Sequence, residues 1–294
     1  MPELPDVELQ RRFLLKWTAE RRIASVSVVD AGKVLTGTSG AELDRELSGR
    51  VISGAERIGK YLVCAVSDDS GAHPGAGADR SDAAPAERLV FHFGMTGYLA
   101  FSTGELQFPA LPEKTKARFS FDDGSALGFV NMRLLGSIFL ITDLDAFRRA
   151  HEIGPDALSL SREEFRNILT GRGSAKSTLM NQKKLSGIGN VYSDEILFHA
   201  GIHPKRKLRD LSDEDRNRLY DATHHVLNEA VERQADPARF PSTWLTPHRT
   251  TGTGRRGSER GSDRGETPRT GDGVRIEKIK IGGRSAFFAP DRQK

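Results

Sequence analysis

The spacing of apolar residues changes near residue 142, where a series of predicted strands that begins at residue 23 gives way to helices. Before that point, short runs of alternating or β-branched residues follow one another closely, as in Leu89 to Phe93 and Ala126 to Val130. Beyond it, apolar residues recur at helical spacing in segments near 143–151, 161–170, 176–185, 190–200 and 212–233. Closely spaced short strands followed by helices predict an α+β fold, with an antiparallel β-sandwich first and a helical domain second.

A helix is expected ahead of the strands. Pro5 and Asp6 suit the first turn of a helix, and Leu9, Phe13 and Trp17 then recur at helical spacing. The N-terminal domain, residues 1–142, is therefore predicted to combine an early helix with the sandwich.

Composition divides the remainder of the chain into three parts. Residues 143–245 form the predicted helical domain. Residues 246–273 are rich in Gly, Arg, Ser and Thr, which is typical of a flexible basic linker. Residues 274–294 hold two short apolar runs around a Gly-Gly pair, a strong signal for a hairpin. The stretch 67–87 is low in bulky apolar residues and predicts a flexible inserted loop.

Positive charge is concentrated in two zones of a chain whose net charge is only +4. Residues 171–209 carry 8 Lys and Arg against 2 Asp and Glu, and residues 249–294 carry 12 against 6. Two basic zones on a near-neutral body favour a polyanionic partner, although solvated surface charge gives the same counts. The single Cys64 excludes an internal disulfide and a multi-cysteine zinc site.

No membrane or secretory segment is indicated. Apolar residues make up 37% of the chain, and no apolar run approaches the roughly 20 residues of a membrane span. No signal-peptide core follows the initiator Met. A cytoplasmic location without a membrane partner is therefore expected.

The first residues of the chain carry reactive groups. A small residue after the initiator Met normally allows removal of that Met, which would leave Pro2 as a free secondary amine. An α-amino group has a pKa of about 8, so part of it is neutral and nucleophilic near neutral pH. Such an amine can condense with a sugar aldehyde, and Glu3 beside it can donate or accept a proton. The alternative is that these residues simply open a helix, and the N-terminus alone does not separate the two readings.

The most specific internal stretch runs from Leu179 to Pro204. A predicted helix leads into Gly187-Ile188-Gly189, and Asn190 is placed to cap the next helix. Glycines allow close approach of the backbone to a ligand, and the N–H groups at a helix start favour phosphate. Turns of this type are common, so the stretch is informative only together with other motifs.

Four separate motifs follow one another in a recognisable order. They are Pro2-Glu3-Leu4-Pro5, the Gly59-Lys60 turn, His92-Phe93-Gly94-Met95-Thr96-Gly97, and the run from Leu179 to Pro204. In this order they resemble the formamidopyrimidine-DNA glycosylases and endonuclease VIII. The resemblance covers nearly the whole chain apart from residues 67–87 and 246–268. It implies a bifunctional DNA glycosylase and apurinic/apyrimidinic lyase of base excision repair, with a helix–two-turn–helix DNA-binding element.

The resemblance also implies a role for each matching residue. Pro2 would attack the anomeric carbon of a damaged nucleotide, and Glu3 would protonate the ring oxygen so that the base leaves. The resulting Schiff base acidifies the adjacent sugar proton, and β- and then δ-elimination cleave the strand. Lys60 completes the predicted catalytic set. Lys60 and Asn190 would hold phosphates around the extruded nucleotide, and Lys176 is also predicted to bind DNA.

A base removed from the stack leaves a void that must be filled. In the family, a Met, an Arg and a bulky apolar residue fill it, and these match Met95, Arg133 and Leu135. Arg can hydrogen-bond the orphaned base, while Met and Leu can act as apolar wedges. Leu135 departs from the Phe common in the formamidopyrimidine branch, and Leu134 replaces a second Arg.

The C-terminal hairpin departs from the family pattern. The family usually ends in a four-cysteine zinc finger, but here Ala289 and Arg292 stand at the last two cysteine positions. Arg269 and Asp272 fall near the first two. The resemblance therefore implies a zincless finger, without metal or other cofactor. Arg284, at the Gly-Gly turn, matches the finger arginine that reaches DNA phosphates.

The expected partner is damaged double-stranded DNA, bound by a monomer across the cleft between the domains, at the nucleoid of the cell. The Met-Thr-Gly motif favours oxidised purines of the formamidopyrimidine type. Oxidised pyrimidines are the alternative, because Leu135 and the zincless end weaken the purine assignment. A non-catalytic damage-binding paralogue is a rival that Pro2 and Glu3 argue against. A ribosome-associated RNA binder is a more distant rival, against which Met95 and Arg133 count.

Overall fold

The computed structural model describes four ranges of the chain, residues 2–68, 87–104, 110–249 and 267–294. Most of the predicted loop at 67–87 and much of the predicted linker at 246–273 lie outside the described residues. The chain divides into two compact units, residues 1–152 and 153–294. Within the described ranges, no helix combines the length and the apolar content that a membrane span requires.

The first unit contains an antiparallel sandwich preceded by a helix, which confirms the predicted fold class. Helix α1 spans Leu4–Thr18. The strands are β1 (Ile23–Val28), β2 (Val51–Ile58), β3 (Tyr61–Ser67), β4 (Arg88–His92), β5 (Tyr98–Ser102), β6 (Thr115–Phe121), β7 (Ala126–Val130) and β8 (Ser137–Ile141). One four-stranded sheet has the order β1-β6-β7-β5 and the other has the order β2-β3-β4-β8.

Aromatic side chains from both sheets meet in the core of the sandwich. Phe91 of β4 lies 5.9 Å from Phe119 of β6 and 5.7 Å from Phe129 of β7, measured between ring centroids. All three side chains are fully buried. Burial of each such side chain stabilises the fold by about 1.5–3 kcal/mol. These contacts hold the two sheets together and so fix the loops at the strand ends.

Two short helices lie where the sequence predicted mainly strands. They are α2 (Ala31–Val34) and α3 (Gly40–Leu47). Helix α3 begins with a capping box, in which the Ser39 hydroxyl accepts the Glu42 N–H at 3.1 Å. The spacing of Ser39 and Glu42 is the sequence signal for this helix, and apolar periodicity over eight residues is too short to replace it.

Helix α4 (Leu144–Ala150) lies in the first unit, although the sequence grouped it with the helical domain. Its Phe147 packs edge-on against Phe139 of β8, with ring centroids 5.3 Å apart. Tyr61 of β3 also contacts the Phe147 ring, at 5.3 Å. These contacts attach α4 to β3 and β8 of the same sheet.

The second unit is helical and ends in a hairpin. Its helices are α5 (Arg162–Ile168), α6 (Ala175–Leu179), α7 (Asn190–Ala200) and α8 (Asp213–Glu232), and its strands are β9 (Glu277–Ile281) and β10 (Arg284–Phe288). Short 3-10 turns cover Leu208–Asp210, Pro237–Arg239 and Thr246–His248.

The hairpin turn has the two-residue geometry that its sequence predicts. Gly282 and Gly283 both have positive φ, at 53° and 76°, which suits the right-handed twist of paired strands. Beyond the turn, Phe287 packs in an apolar cluster with Phe198 of α7 and Ile276. The hairpin is thereby fixed to α7, and its turn remains exposed.

Three of the four residues that the sequence analysis matched to cysteines are charged, namely Arg269, Asp272 and Arg292. Arg292 Nη1 lies 3.6 Å from Asp272 Oδ2, and the Arg292 guanidinium lies over the Phe198 ring at 5.0 Å. Ala289 is fully buried. Among the residues that the structure describes, no group of three or more His, Cys, Asp or Glu could hold a metal ion.

Candidate active site

The start of α1 holds the predicted proton donor in a defined position. Glu3 occupies the N-cap of α1 and is 1% exposed, and Pro2 directly precedes it. Asp6 closes the cap by accepting the Glu3 backbone N–H at 2.9 Å through Oδ2. The helix dipole favours a carboxylate at this end. The cap therefore fixes the backbone that carries both Pro2 and Glu3.

Asp6 has an unusual protonation equilibrium. Burial raises the pKa of its carboxyl to about 6, and the nearby Glu3 charge adds to this effect against the lowering effect of the Glu3 N–H bond. An unfolded chain holds an Asp carboxyl with a pKa of about 3.9. Between these values the folded protein binds more protons than the unfolded chain, so folding is favoured by low pH in this window.

We expect the free energy of unfolding to fall as pH rises from about 4 to about 6, because ionised Asp6 is disfavoured in the folded state. Asp6→Asn keeps an oxygen that can accept the Glu3 N–H but does not ionise. The variant should be more stable than the parent above pH 6, by about 3 kcal/mol. Urea unfolding at pH 4, 5, 6 and 7 measures this. An equal pH dependence in the two proteins would contradict the assignment to Asp6.

Lys60 lies in the tight turn between β2 and β3, where Gly59 has a φ of 57°. His92 pairs with Tyr61 across the neighbouring ladder, with ring centroids 4.9 Å apart. Burial lowers the pKa of His92 to about 4, and the charge of Lys60 and then His151 contribute to the lowering. His92 is therefore a neutral imidazole close to the Lys60 ammonium.

His92 is a candidate site residue that the sequence interpretation quoted in a motif but gave no role. Its ring can donate one hydrogen bond while it remains uncharged. Its position at the end of β4, directly before the turn that carries Met95, was the available signal. Proximity to Lys60 became visible only through the pairing of β3 with β4.

The structure brings the three predicted void-filling residues to two adjoining loops. Met95, 39% exposed, lies in the turn after β4, and Leu135, 50% exposed, lies with exposed Arg133 in the loop between β7 and β8. The two loops are in close contact at Gly94. A Cβ built on this residue would lie only 2.3 Å from the Leu135 carbonyl carbon. Leu134 adopts the left-handed conformation with φ of 53°. Exposed apolar side chains in such loops are suited to contact with a partner.

The side chain of Gln182 holds the loop between α6 and α7 through three hydrogen bonds. Gln182 Nε2 donates to the Met180 and Ile188 carbonyls at 2.9 and 2.7 Å, and Oε1 accepts the Gly187 N–H at 3.0 Å. Because these bonds fix a looped backbone, α6 ends at Leu179 and does not continue to residue 185 as predicted. The two-turn geometry ahead of α7 therefore depends on the side chain of Gln182.

Asn190 is the first residue of α7, and the N-cap is Gly189. The expectation that Asn190 caps this helix is therefore wrong by one residue, because the extended backbone of Gly189 takes the cap position. The Oδ1 atom of Asn190 is buried and has no hydrogen-bond partner among the described residues. The side chain is thus not committed to capping the helix.

Lys176 lies in the interior of the second unit. It is 1% exposed, and its Nζ donates to Asp194 Oδ1 at 2.5 Å and to Ser193 Oγ at 2.9 Å. A direct contact of this ammonium with DNA is not what the structure favours, because its donors are already used inside the protein. This revises the sequence expectation for Lys176, which can act on DNA only through residues that it holds.

A pocket of about 210 Å³ lies beside the hairpin turn in the second unit. Gly282 and Arg284 line it from the hairpin, and Ser177 and Asn181 line it from α6 and the following loop. Arg284 is exposed. Lys176, Met180 and Ile281 complete the lining. An exposed guanidinium beside the polar side chains of Ser177 and Asn181 is suited to a phosphate.

We expect Arg284→Ala to weaken binding to a lesion duplex and to lower the salt dependence of binding. Each phosphate neutralised adds about 0.9 to the slope of log K against log salt concentration. Fluorescence anisotropy at several salt concentrations measures both quantities. The matched control is Arg275→Ala, which removes an equal charge from a residue paired with Glu277 at 3.2 Å. Equal slopes for the two variants would show that Arg284 does not bind a phosphate.

Both units match domains of one known protein family. Residues 1–138 match the formamidopyrimidine-DNA glycosylase N-terminal domain, and residues 153–242 match the formamidopyrimidine-DNA glycosylase H2TH domain. The chain belongs to the formamidopyrimidine-DNA glycosylase family. This confirms the resemblance inferred from the four sequence motifs.

Relatives of this family are similar over most or all of the chain. The formamidopyrimidine-DNA glycosylase of Heliobacterium modesticaldum is 33% identical, and the match covers 100% of both chains. The formamidopyrimidine-DNA glycosylase of Moorella thermoacetica is 34% identical over 81% of this chain and 81% of its own. The glycosylase fold is thus expected along the full length.

Solved structures of the family agree with the fold. A Lactococcus lactis formamidopyrimidine-DNA glycosylase in complex with DNA containing N7-benzyl-Fapy-dG gives a TM-score of 0.77 at 27% identity, covering 100% of both chains. A MutM structure in complex with DNA containing carbocyclic 8-oxo-G gives a TM-score of 0.75 at 26% identity, again over 100% of both chains. These likenesses confirm the combination of a β-rich first unit with a helical second unit.

Proposed function

We propose that this chain is a bifunctional DNA glycosylase and apurinic/apyrimidinic lyase that excises oxidised purines of the formamidopyrimidine type. The observation that carries the proposal is the N-terminus of α1, where buried Glu3 is held at the cap directly after Pro2. An amine nucleophile and an adjacent proton donor are the two groups that this chemistry needs. The site acts on the cell's DNA, at the nucleoid.

The reaction begins at the sugar of the damaged nucleotide. The Pro2 nitrogen attacks the anomeric carbon, Glu3 gives a proton to the ring oxygen, and the base departs as the carbon–nitrogen bond breaks, taking up the proton that the Pro2 nitrogen loses. The product is an iminium between Pro2 and the opened sugar. Its positive charge acidifies the neighbouring C2′ proton, so loss of that proton expels the 3′ phosphate by β-elimination. A second, δ-elimination expels the 5′ phosphate.

The surrounding residues position the extruded nucleotide. Lys60, with neutral His92 beside it, provides a cation and a hydrogen-bond donor for a backbone phosphate. Met95 and Leu135 fill the space that the base leaves, and Arg133 hydrogen-bonds the orphaned partner base. The contact of the two loops at Gly94 supports this joint role, because it fixes Met95 relative to Leu135.

The preference for oxidised purines is supported by the relatives. Their names and the Fapy-dG and 8-oxo-G duplexes bound by the similar structures favour this class. Oxidised pyrimidines are the second candidate, because Leu135 stands where the formamidopyrimidine branch commonly has Phe. The two classes differ in the base and not in the sugar chemistry.

Single-turnover excision from duplexes with one defined lesion tests the proposal. The panel consists of a formamidopyrimidine, 8-oxoguanine, one oxidised pyrimidine and an undamaged base in the same sequence. We expect cleavage of both purine lesions at least about tenfold faster than of the pyrimidine, which corresponds to about 1.4 kcal/mol of discrimination. Faster cleavage of the pyrimidine would assign the second class, and no cleavage of any lesion would remove the proposed activity.

A further inference from the structure

A buried group of three charged side chains lies where α6, α7 and the hairpin meet. Lys176 and Asp194 are 1% and 0% exposed, with Nζ 2.5 Å from Oδ1. Arg249, also nearly buried, places Nη2 at 3.1 Å from Asp194 Oδ2. We refer to Lys176, Asp194 and Arg249 as the Asp194 cluster. The cluster contains one carboxylate and two cations.

One oxygen of Asp194 fixes the hairpin. Asp194 Oδ2 accepts the backbone N–H of Phe287 in β10 at 3.1 Å. The Arg249 guanidinium lies over the Phe287 ring, 4.9 Å from its centroid. Phe287 is three residues beyond Arg284 on the same strand. The bond between Phe287 and Asp194 therefore sets the position of Arg284 relative to α7.

The other oxygen of Asp194 acts through Lys176. Lys176 Nζ donates to the Asn190 carbonyl oxygen at 3.2 Å as well as to Asp194 Oδ1. Asn190 is the first residue of α7 and directly follows the loop that the Gln182 side chain holds by hydrogen bonds. Asp194 is thus connected to Asn190 through Lys176, and to Arg284 through the backbone of Phe287 in β10.

A buried ion pair is weak evidence for a stabilising role. Removing charges from water costs free energy, and well-packed apolar residues of similar volume often serve stability as well. The apolar cluster of Phe198, Leu245, Ile276, Phe287 and Ala289 already attaches the hairpin to the helices. What the apolar cluster does not provide is a directional bond to a chosen backbone atom, and Asp194 provides that bond.

We propose that Asp194 is a positioning residue that sets the distance between two phosphate-binding groups, Asn190 on α7 and Arg284 on the hairpin. The inference rests on the proposed function, because the two groups bind phosphates only if the chain binds DNA. Asp194 itself does not touch the DNA. Its effect on binding passes through Lys176 and through the Phe287 backbone.

The direction in which Asp194→Asn changes the affinity for DNA distinguishes a positioning role from a purely electrostatic one. The substitution removes a negative charge, so a purely electrostatic effect would strengthen binding to DNA. Loss of positioning predicts the opposite, because Asn does not hold the Lys176 ammonium as an ion pair. We expect affinity for a duplex with a stable abasic-site analogue to fall about tenfold, the size of one charge-assisted contact. The slope of log K against log salt concentration should fall by about 0.9 or more.

A matched control removes an ion pair from the same unit without touching the Asp194 cluster. Arg162 and Asp221 pair at 2.6 Å, and Asp221 is 62% exposed. Asp221→Asn removes the same charge and should leave affinity and salt slope at the wild-type values or slightly raise the affinity. A decrease in the slope equal to that of Asp194→Asn would show that the effect is not specific to the cluster.

A second variant keeps the experiment decisive if Asp194→Asn does not fold, as judged by near-ultraviolet circular dichroism. Lys176→Met combined with Asp194→Asn leaves the net charge of the cluster unchanged but removes the bond to the Asn190 carbonyl. The same tenfold weakening and lower slope are expected. In an Asn190→Ala background, Asp194→Asn should weaken binding by less than in the wild type, because the part of its effect that passes through Asn190 is already lost.

Wild-type affinity and slope in either folded variant would overturn the positioning role. Failure of the wild-type chain to bind the duplex would overturn the proposed function instead. The two failures are distinguished because the first compares variants with a wild-type protein that binds.

Discussion

Replacing Glu3 with Gln is expected to lower the rate of base excision by a factor of about 10²–10⁴, the usual contribution of a positioned general acid or base. Gln has nearly the same shape and retains an oxygen that can accept hydrogen bonds at the N-cap of α1. It has no carboxyl proton to give to the sugar ring oxygen. The proposed nucleophile Pro2, the helix start and the proposed DNA-binding loops should therefore remain intact while the proposed acid is lost.

Single-turnover excision and duplex affinity, measured on the same preparation, test this expectation. Affinity for the stable abasic-site analogue should change by less than about twofold, since no phosphate contact is removed. Glu8→Gln is the matched control on the same helix, because it also replaces a Glu of α1 by Gln, and Glu8 forms ion pairs with Arg11 at 2.8 Å and with Arg57 of β2 at 3.9 Å. Excision by Glu3→Gln at the rate of Glu8→Gln would show that Glu3 does not serve as the acid.

Gly94→Ala should damage both the stability of the sandwich and base excision. Gly94 has a φ of 59°, which costs other residues about 1–2 kcal/mol. A Cβ at this position would lie 2.3 Å from the Leu135 carbonyl and 2.6 Å from the Gly136 nitrogen. We expect the free energy of unfolding to fall by about 2–4 kcal/mol. Excision should fall at least about tenfold, because Met95 and Leu135 are pushed apart.

Gly32→Ala provides the control for the glycine substitution. Gly32 lies inside α2, and a Cβ there would meet no atom within 4 Å. Ala in a helix interior is favoured over Gly by about 0.5–1 kcal/mol, so this variant should be as stable as the parent or more so. Urea unfolding and excision of both variants are compared. Wild-type excision by Gly94→Ala would mean that the contact between the two loops is not needed.

Much of the fold follows from local patterns in the sequence. Alternation and turn signals predicted the strands of the sandwich, and the Gly-Gly pair predicted the hairpin, since both patterns act over a few residues. Helix α3 was missed because its signal is the Ser39–Glu42 capping box and not periodicity. The end of α6 was misplaced because side-chain bonds from Gln182 to the backbone determine it.

The site was less predictable where it depends on distant partners. Lys176 looked like a DNA-binding residue within a basic zone, but Asp194, 18 residues away, draws its ammonium into the interior. His92 gained a role only from the strand pairing that sets it near Lys60. Pro2, Glu3 and Arg284 needed no such partner to be noticed, because their chemistry or turn context is local.

Borohydride trapping is the most direct measurement of the central claim that Pro2 forms a Schiff base with the damaged sugar. The mature chain is mixed with a duplex containing a formamidopyrimidine or an abasic site, sodium borohydride is added, and the adduct is digested for mass spectrometry. Reduction of the iminium should give a covalent protein–DNA adduct on the peptide that begins with Pro2. An adduct on an internal lysine, or no adduct with any lesion or abasic site, would contradict the proposed mechanism.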